Sequence, residues 1–141
     1  MSITVTPHLN FQGQARAALA FYHAVFGGQL ALVTYADMGN VQDPVDAEHI
    51  IWGQVAAADG FRIMACDLAS GTPWQPGENA CFVSLRGKDA KELARRWESL
   101  AAGAAVLRDL SPAPWTPLYG MLKDRFGITW VVDVEPAPRG A

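Results

Sequence analysis

Two histidines, His8 and His49, are the side chains best suited to proton transfer, because an imidazole changes its charge close to neutral pH. Asp67 stands near the end of a strand-like run, and a carboxylate beside His49 across neighbouring strands would make that histidine a general base. A second interpretation is equally open, in which both residues end strands and bind backbone groups. His8, His49 and Asp67 are the candidates for a catalytic role.

The first extended stretch of the chain carries a polar face. From Ile3 to Phe11 apolar and polar residues alternate, which places His8, Asn10 and Gln12 on one side of a strand. Such a face can belong to a binding site. Because antiparallel sheets often present one face to water, the residue pattern alone favours a solvated face.

Five tryptophans provide apolar surface for a pocket or a core. Trp74 and Trp115 fall in Pro-containing stretches, where they would wall a cleft or a subunit contact. Regular apolar patterns surround Trp52, Trp97 and Trp130, which are expected in the core. Methionines in strand-like runs would add adaptable pocket lining, although core filling is their default.

Other chemistries are not indicated. Ser70 and Ser84 lack the strand–turn–helix setting of a hydrolase nucleophile. Four acidic residues lie in or beside a polar loop over 39–48 that we expect to be mobile, and they resemble a solvated face: Asp37, Asp43, Asp46 and Glu48.

The elements of the first half begin with a strand over 3–11. An apolar stripe then predicts a helix from Ala15 to Phe26, ended by two glycines. The remaining predictions are three strands, over 29–38, 49–57 and 61–68, and a connector over 69–79 that contains two Gly and two Pro.

The second half repeats this order. A strand over 80–85 is followed by a capping box, Asp89 to Glu92, that opens a helix ended by Gly103. A strand over 104–110 and a Pro-rich loop over 111–117 come next. The chain then forms a hairpin over 119–130, because Asp124 can bond its own backbone and Gly127 can take a positive φ.

Both halves therefore have the order β-α-β-β-β. Helix residues such as Leu19 and Leu93 match at a constant offset of 74, which indicates an internal duplication. We predict an α+β fold and one domain over 1–141, made of two modules at about 3–68 and 80–134.

Length and charge limit the class of partner. The 141 residues suffice for one core, and 11 basic against 14 acidic residues give a net charge of −3, without the basic footprint of a nucleic-acid binder. No apolar run approaches the ~20 residues that span a bilayer, and the first residues lack the charge of a signal peptide. We expect a cytoplasmic protein in which Cys66 and Cys81 are thiols.

Several motifs together resemble a known family, the PhnB-like branch of the vicinal oxygen chelate superfamily. That superfamily includes glyoxalase I, bleomycin-resistance proteins and extradiol dioxygenases, and the likeness runs from about Pro7 to Asp133. The motifs are Phe21-Tyr22, Phe26-Gly27-Gly28, His49, Asp67, Tyr119-Gly120, Asp124-Arg125-Phe126-Gly127 and Trp130.

The resemblance implies that each module curls its strands into half a barrel, with the helix outside and a ligand cleft inside. Metal-dependent relatives bind one divalent ion through residues of the first and last strands of each module. These residues are usually His or Gln on the first strand and Glu on the last. Those positions fall at Thr6, Met64, Ala80 and Val131, which are poor ligands for such an ion. A shift of two residues brings in His8 alone, so no metal site is predicted.

The resemblance also implies that the polar face of the first strand lines the cleft. It further implies that the protein forms a homodimer. Some relatives bear the name of a demethylubiquinone methyltransferase. No Gly-rich turn after a strand is present here to hold an adenosyl group, so no cofactor is expected.

We therefore predict a metal-independent protein that binds a small molecule, does not bind nucleic acid or membranes, and forms a homodimer. The alternative is a lyase or isomerase of the same superfamily, metal-dependent in one version, that uses a pocket histidine as base. The predicted ligand-binding residues are His8, Asn10, Trp52, Met64, Asp67, Trp74, Trp115, Tyr119 and Met121.

Overall fold

The structure is a computed structural model that describes residues 3–135. Two compact units make up the chain, Met1–Gln75 and Pro76–Ala141, and they divide inside the predicted connector over 69–79. Of the helices between residues 3 and 135, none is long and apolar enough to cross a membrane. The union of the two modules in a single domain stays a prediction.

The N-terminal unit is a four-stranded mixed sheet with one α-helix. Its strands lie in the order β1-β4-β3-β2, with β1 parallel to β4 and the other pairs antiparallel. The elements are β1 (His8–Phe11), α1 (Ala15–Phe26), β2 (Gln29–Thr34), a short 3-10 helix (Pro44–Asp46), β3 (Ile50–Ala56) and β4 (Arg62–Asp67).

Helix α1 covers one face of this sheet with a buried apolar stripe. Gly53 of β3 lies under Leu19, and a Cβ at this glycine would collide with the Leu19 side chain. Phe26 stacks on Phe61 with 3.8 Å between ring centroids. Since successive side chains of a strand point to opposite faces, the neighbours of Gly53 lie on the face turned away from the helix.

The C-terminal unit has the same strand order, β5-β8-β7-β6, with β5 parallel to β8. Its elements are β5 (Val83–Gly87), α2 (Ala90–Ala101), β6 (Ala105–Ala113), β7 (Thr116–Lys123) and β8 (Thr129–Val134). Leu93 of α2 is buried like Leu19, its predicted equivalent. The α+β class and the repeated β-α-β-β-β order are confirmed.

A hydrogen-bonded turn joins β7 to β8. The Oδ1 atom of Asp124 accepts hydrogen bonds from the backbone N–H groups of Phe126 (2.8 Å) and Ile128 (3.1 Å). Its Oδ2 atom accepts from Nε1 of the buried Trp130 (2.9 Å). Gly127 has a φ of +88°, a left-handed conformation that glycine adopts at little cost. The predicted hairpin is confirmed.

The first strand of each unit begins later than predicted. Ile3 and Val5 are 78% and 94% exposed, and β1 starts only at His8. Likewise β5 starts at Val83 rather than at residue 80. Alternation of apolar residues predicts burial only where a neighbouring strand and a helix cover the segment.

The Pro-rich loop predicted over 111–117 is wrong. Strand β6 continues to Ala113 and β7 starts at Thr116, which leaves Pro114 and Trp115 between the two strands. Because β6 lies at the edge of its sheet, Pro112 can occupy it without breaking a ladder between two neighbours.

Candidate functional site

The face of the first sheet turned away from α1 carries a mixture of polar and apolar side chains. Strand pairing aligns His8 with Met64, Asn10 with Cys66, and Gln54 with Met64. His8 and Asn10 are exposed, whereas the others are half-buried. We call this surface the N-terminal face and define it by His8, Asn10, Trp52, Gln54, Met64 and Cys66.

A hydrogen-bonded chain crosses the N-terminal face from His8 through Cys66 to Asn10. The Cys66 thiol donates to Oδ1 of Asn10 (3.4 Å), and Nε2 of His8 lies 3.4 Å from the Cys66 sulfur. A thiol has one hydrogen, so in the tautomer that donates from Nε2 of His8 to the sulfur, a neutral imidazole keeps Nδ1 as an acceptor. The N-terminal face thus offers an imidazole acceptor and the amide N–H donors of Asn10.

Cys66 serves as a neutral bridge in this chain. Burial, and secondarily the charge of Asp67, raise the pKa of the thiol above its usual value. A thiol is a weak nucleophile unless its pKa is lowered. Alternation along β4 places Cys66 on the same face as Met64, a signal in the sequence that the predicted set did not use.

Two tryptophans flank the chain. Trp74 donates its indole N–H to the backbone carbonyl of Asn10 (3.0 Å), which places the predicted loop tryptophan beside β1. Trp52 is half-buried on the N-terminal face, so its expected place in the core is wrong. Trp97 is also half-buried, whereas Trp130 is fully buried as predicted. Apolar rings therefore border the polar chain.

Asp67 lies on the other side of the sheet, buried among backbone amides. Its Oδ1 atom accepts from the N–H groups of Gly13 (2.7 Å) and Ala15 (3.0 Å), at the start of α1, and its Oδ2 accepts from Ile50 (2.9 Å). At 1% exposure it is a structural carboxylate that ties three segments together. Of the two interpretations of Asp67, the one in which it binds backbone groups is confirmed, and the pairing with His49 is not formed, since all three of its partners are backbone amides.

His49 pairs instead with Asp46, whose Oδ1 lies 3.6 Å from the ring Nδ1. Asp46 is buried, which corrects its expected solvated position, and it accepts hydrogen bonds from the backbone N–H (2.9 Å) and hydroxyl (2.7 Å) of Ser70. The Ser70 backbone bond is the main reason that the pKa of Asp46 lies below its usual value. Since the Ser70 hydroxyl donates to Asp46 and not to His49, this group does not activate a nucleophile.

The corresponding face of the second sheet is more strongly charged. Pairing places Arg86 beside Asp133, Tyr119 beside Asp133, and Arg108 beside Met121. Arg86 donates from Nε to Oδ1 of Asp133 (2.9 Å) and from Nη2 to Oδ2 (3.4 Å). This ion pair raises the pKa of Arg86.

Trp115, Tyr119 and Met121, three predicted ligand-binding residues, lie together with Arg108 on this second sheet. The rings of Trp115 and Tyr119 meet edge to face with 5.2 Å between centroids. The guanidinium carbon of Arg108 lies 4.8 Å from the Tyr119 centroid and 5.8 Å from that of Trp115. Nothing local marks Arg108 in the sequence, because only the pairing of β6 with β7 brings it to these rings.

The predicted metal-binding positions are revised by the strand register. Thr6 precedes β1 and Ala80 precedes β5, so neither of these two positions lies in a strand. The residue paired with Met64 across the first and last strands is His8, and the residue paired with Val131 is Ser84.

Neither pair fits a divalent ion. Each of these two pairs offers one donor, an imidazole or a hydroxyl, opposite a thioether or an alkyl group, which hard and borderline divalent ions bind poorly. Throughout residues 3–135, no three side chains of His, Cys, Asp or Glu come close enough together to hold a metal ion.

Comparison with known proteins identifies the family. Residues 3–133 match the model of the family described as 3-demethylubiquinone-9 3-methyltransferase. The chain belongs to this PhnB-like family. Protein PA1353 from Pseudomonas aeruginosa is 32% identical, with coverage of 95% of this chain and 98% of that one and a TM-score of 0.81.

Two further solved structures share the fold of this PhnB-like chain. The PhnB protein from Bacillus cereus, titled a putative 3-demethylubiquinone-9 3-methyltransferase, is 21% identical, with 94% and 100% coverage and a TM-score of 0.71. A glyoxylase/bleomycin resistance protein/dioxygenase domain from Frankia is 13% identical, with 95% and 98% coverage and a TM-score of 0.66. The predicted place of the chain among glyoxalase- and bleomycin-resistance-type folds is confirmed.

Proposed function

We propose that this chain is a metal-independent small-molecule binding protein whose ligand lies on the N-terminal face. The observation that carries the proposal is the chain from His8 through Cys66 to Asn10, bordered by Trp52 and Trp74. A few polar groups fix the orientation of a ligand and apolar surface supplies its affinity, which is the usual composition of a ligand site.

Metal independence is part of this proposal. It is supported by the donor set, since His8 faces Met64 and Ser84 faces Val131 across the first and last strands. Elemental analysis of the purified protein is expected to find less than stoichiometric divalent metal. A tightly bound ion at one per chain would contradict the proposal.

Methyl transfer, which the family name describes, is not proposed. An adenosyl cofactor is usually held where a helix N-terminus follows a Gly-rich turn in a parallel sheet. Here the amides of Gly13 and Ala15 at the start of α1 already bind Asp67. The residues present therefore do not fit that group.

A fragment screen by two-dimensional NMR tests the binding site. The probes are small aromatic amides and alcohols, which match an imidazole acceptor and an amide donor bordered by rings. Binding is expected to shift the Trp52 and Trp74 indole N–H signals and to be lost in the double variant His8→Ala/Asn10→Ala. The matched control is His23→Ala/Asn40→Ala, which removes the same side-chain types elsewhere in the unit. Equal loss in both variants, or no binder at millimolar probe, would refute the site.

A second candidate is proton transfer by His8 on a bound substrate. The exposed position of His8 favours it, while the absence of a carboxylate paired with this ring among residues 3–135 weakens it. Any turnover found with a screened ligand is expected to fall at least about 100-fold in His8→Ala. Unchanged turnover in His8→Ala and in His49→Ala would exclude both imidazoles as the base.

The cytoplasmic location is also a proposal. Its support is that Cys66 and Cys81 are both free thiols, the usual state in a reducing compartment.

A further inference from the structure

Arg108 differs from Arg86 and Arg125 in the interactions of its guanidinium group. Arg86 uses its N–H edge to bind the carboxylate of Asp133, and Arg125 donates two hydrogen bonds to the carbonyl oxygen of Ala102. Arg108 instead contacts aromatic rings, with its guanidinium carbon over Tyr119 and Trp115 at 4.8 and 5.8 Å from their centroids.

The N–H donors of Arg108 have no partner among residues 3–135. Asp133, the carboxylate closest to Tyr119 across the sheet, is occupied by Arg86, and Asp109 forms no ion pair with Arg108. A guanidinium carries five N–H donors in its plane and always bears a positive charge. A cation–π contact uses the charge of the group and none of its N–H donors, so these donors stay available for a ligand.

The rings keep open surface beside this charge. Trp115 is 48% exposed, at the turn between β6 and β7, and its contact with Tyr119 fixes the ring edge to face. The contact with two rings also preorganises the guanidinium. An arginine side chain restricted before binding loses less conformational entropy when the ligand binds. A fixed cationic edge beside an open indole matches a ligand that carries an anion on a flat apolar body.

We propose that Arg108, Tyr119 and Trp115 form a binding site for a small organic oxyanion. Two oxygens of the ligand accept hydrogen bonds from the edge of the Arg108 guanidinium, and its flat body lies against Trp115. Carboxylates and phosphate esters share this chemistry. The inference does not rest on the proposed function, because no residue of the N-terminal unit enters it.

An NMR titration with benzoate tests this site on the full chain, with the Trp115 indole N–H signal as the readout. Benzamide is the neutral probe of the same shape, and phenyl phosphate distinguishes a phosphate ester from a carboxylate. Benzoate or phenyl phosphate, whichever binds more tightly, is expected to shift the Trp115 signal at a Kd at least about tenfold below that of benzamide. That Kd is expected to rise with salt.

Variants assign the effect to the guanidinium edge. Arg108→Gln is expected to raise the Kd of the preferred anion at least about tenfold, and Arg108→Lys to raise it as well, because an ammonium lacks the bidentate edge. Arg95→Gln, which removes an exposed arginine from α2, is the control and is expected to leave the Kd unchanged. Since position 108 is exposed, unchanged melting temperatures are expected to accompany these results.

Three results would overturn the proposal. The first is equal binding of benzamide and the anions, and the second is equal weakening by Arg95→Gln and Arg108→Gln. The third is a Trp115 signal that responds to protein concentration and not to either anion, because this outcome would assign the tryptophan to a contact between copies of the chain.

Discussion

Asp67 holds three backbone amides from two other segments of the N-terminal unit. The N–H groups of Gly13 and Ala15 lie 54 and 52 residues away in the chain, and that of Ile50 lies 17 away. Among these is the start of α1, where Gln14 provides no side-chain cap of its own. A buried carboxylate that accepts several amide bonds is strongly tied to the folded state.

Asp67→Asn is expected to destabilise the protein by about 2 kcal/mol, because an amide has one acceptor oxygen and leaves a buried N–H group unpaired. The measurement is urea unfolding, with a lower midpoint at an unchanged slope. Asp59→Asn in the exposed β3–β4 turn is the control, with an expected change below about 0.5 kcal/mol. Equal stability of Asp67→Asn and wild type would contradict the structural role.

The sequence marked Asp67 as important without revealing its role. A carboxylate at a strand end is compatible with a general base or with a backbone partner, and the choice depends on amides far away in the chain. Arg108 was not marked by the sequence at all, because neither its residue type nor its position in the chain indicated a contact with Tyr119 and Trp115. Met64 and Tyr119 were correctly placed in strands, and alternation within a strand assigns each side chain to one face.

At the scale of elements, the β7–β8 hairpin is the feature whose chemistry is most local. Asp124 binds amides two and four residues ahead and the indole six residues ahead, all inside one turn. Local contacts of this kind are encoded in neighbouring residues, which is why the hairpin was predictable. The strand structure of the Pro-rich segment before β7 was not predictable, because only the edge position of β6 makes Pro112 acceptable in a strand.

Asp124→Ala is expected to lower the free energy of unfolding by about 3 kcal/mol, since it removes three acceptor contacts and leaves the buried indole N–H of Trp130 unpaired. Thermal unfolding monitored by near-ultraviolet circular dichroism measures the change and the environment of Trp130. Asp109→Ala on the exposed edge strand is the control, with a shift below about 0.5 kcal/mol. Equal melting temperatures of Asp124→Ala and Asp109→Ala would show that the stability of the turn does not depend on Asp124.

At the scale of the whole molecule, the two units reach the same topology with different interactions. Leu19 packs on Gly53 in one unit, while Trp97 packs against Gly120 in the other, where an added Cβ would lie 3.0 Å from the indole. The duplication was predictable from element order. The different contacts were not, because they depend on which large residue meets each glycine.

We propose that the protein is a homodimer, as the family resemblance implies. The supporting observation is apolar surface on β6 of the C-terminal unit, where Val106 and Leu107 are 45% and 56% exposed. Large apolar side chains that stay exposed on an edge strand often belong to a subunit contact. Light scattering is expected to give twice the 15.2 kDa mass of one chain.

Leu107→Lys is expected to shift this mass toward the monomer, because a charged side chain would be desolvated at the contact. Val45→Lys, at an exposed apolar position of the N-terminal unit, is the control and is expected to remain dimeric. A monomeric wild-type protein would contradict the homodimer, and a dimeric Leu107→Lys variant would exclude this surface.

The remote cap of α1 has a consequence for protein synthesis. The carboxylate that binds Ala15 is added to the growing chain 52 residues after it, whereas α2 is capped by Asp89 through the amide only two residues ahead. On the ribosome, α2 can therefore form a capped first turn as soon as it emerges. Helix α1 lacks its carboxylate until β4 has been translated, so we expect its first turn to stay uncapped while the 52 residues after Ala15, up to and including Asp67, are added.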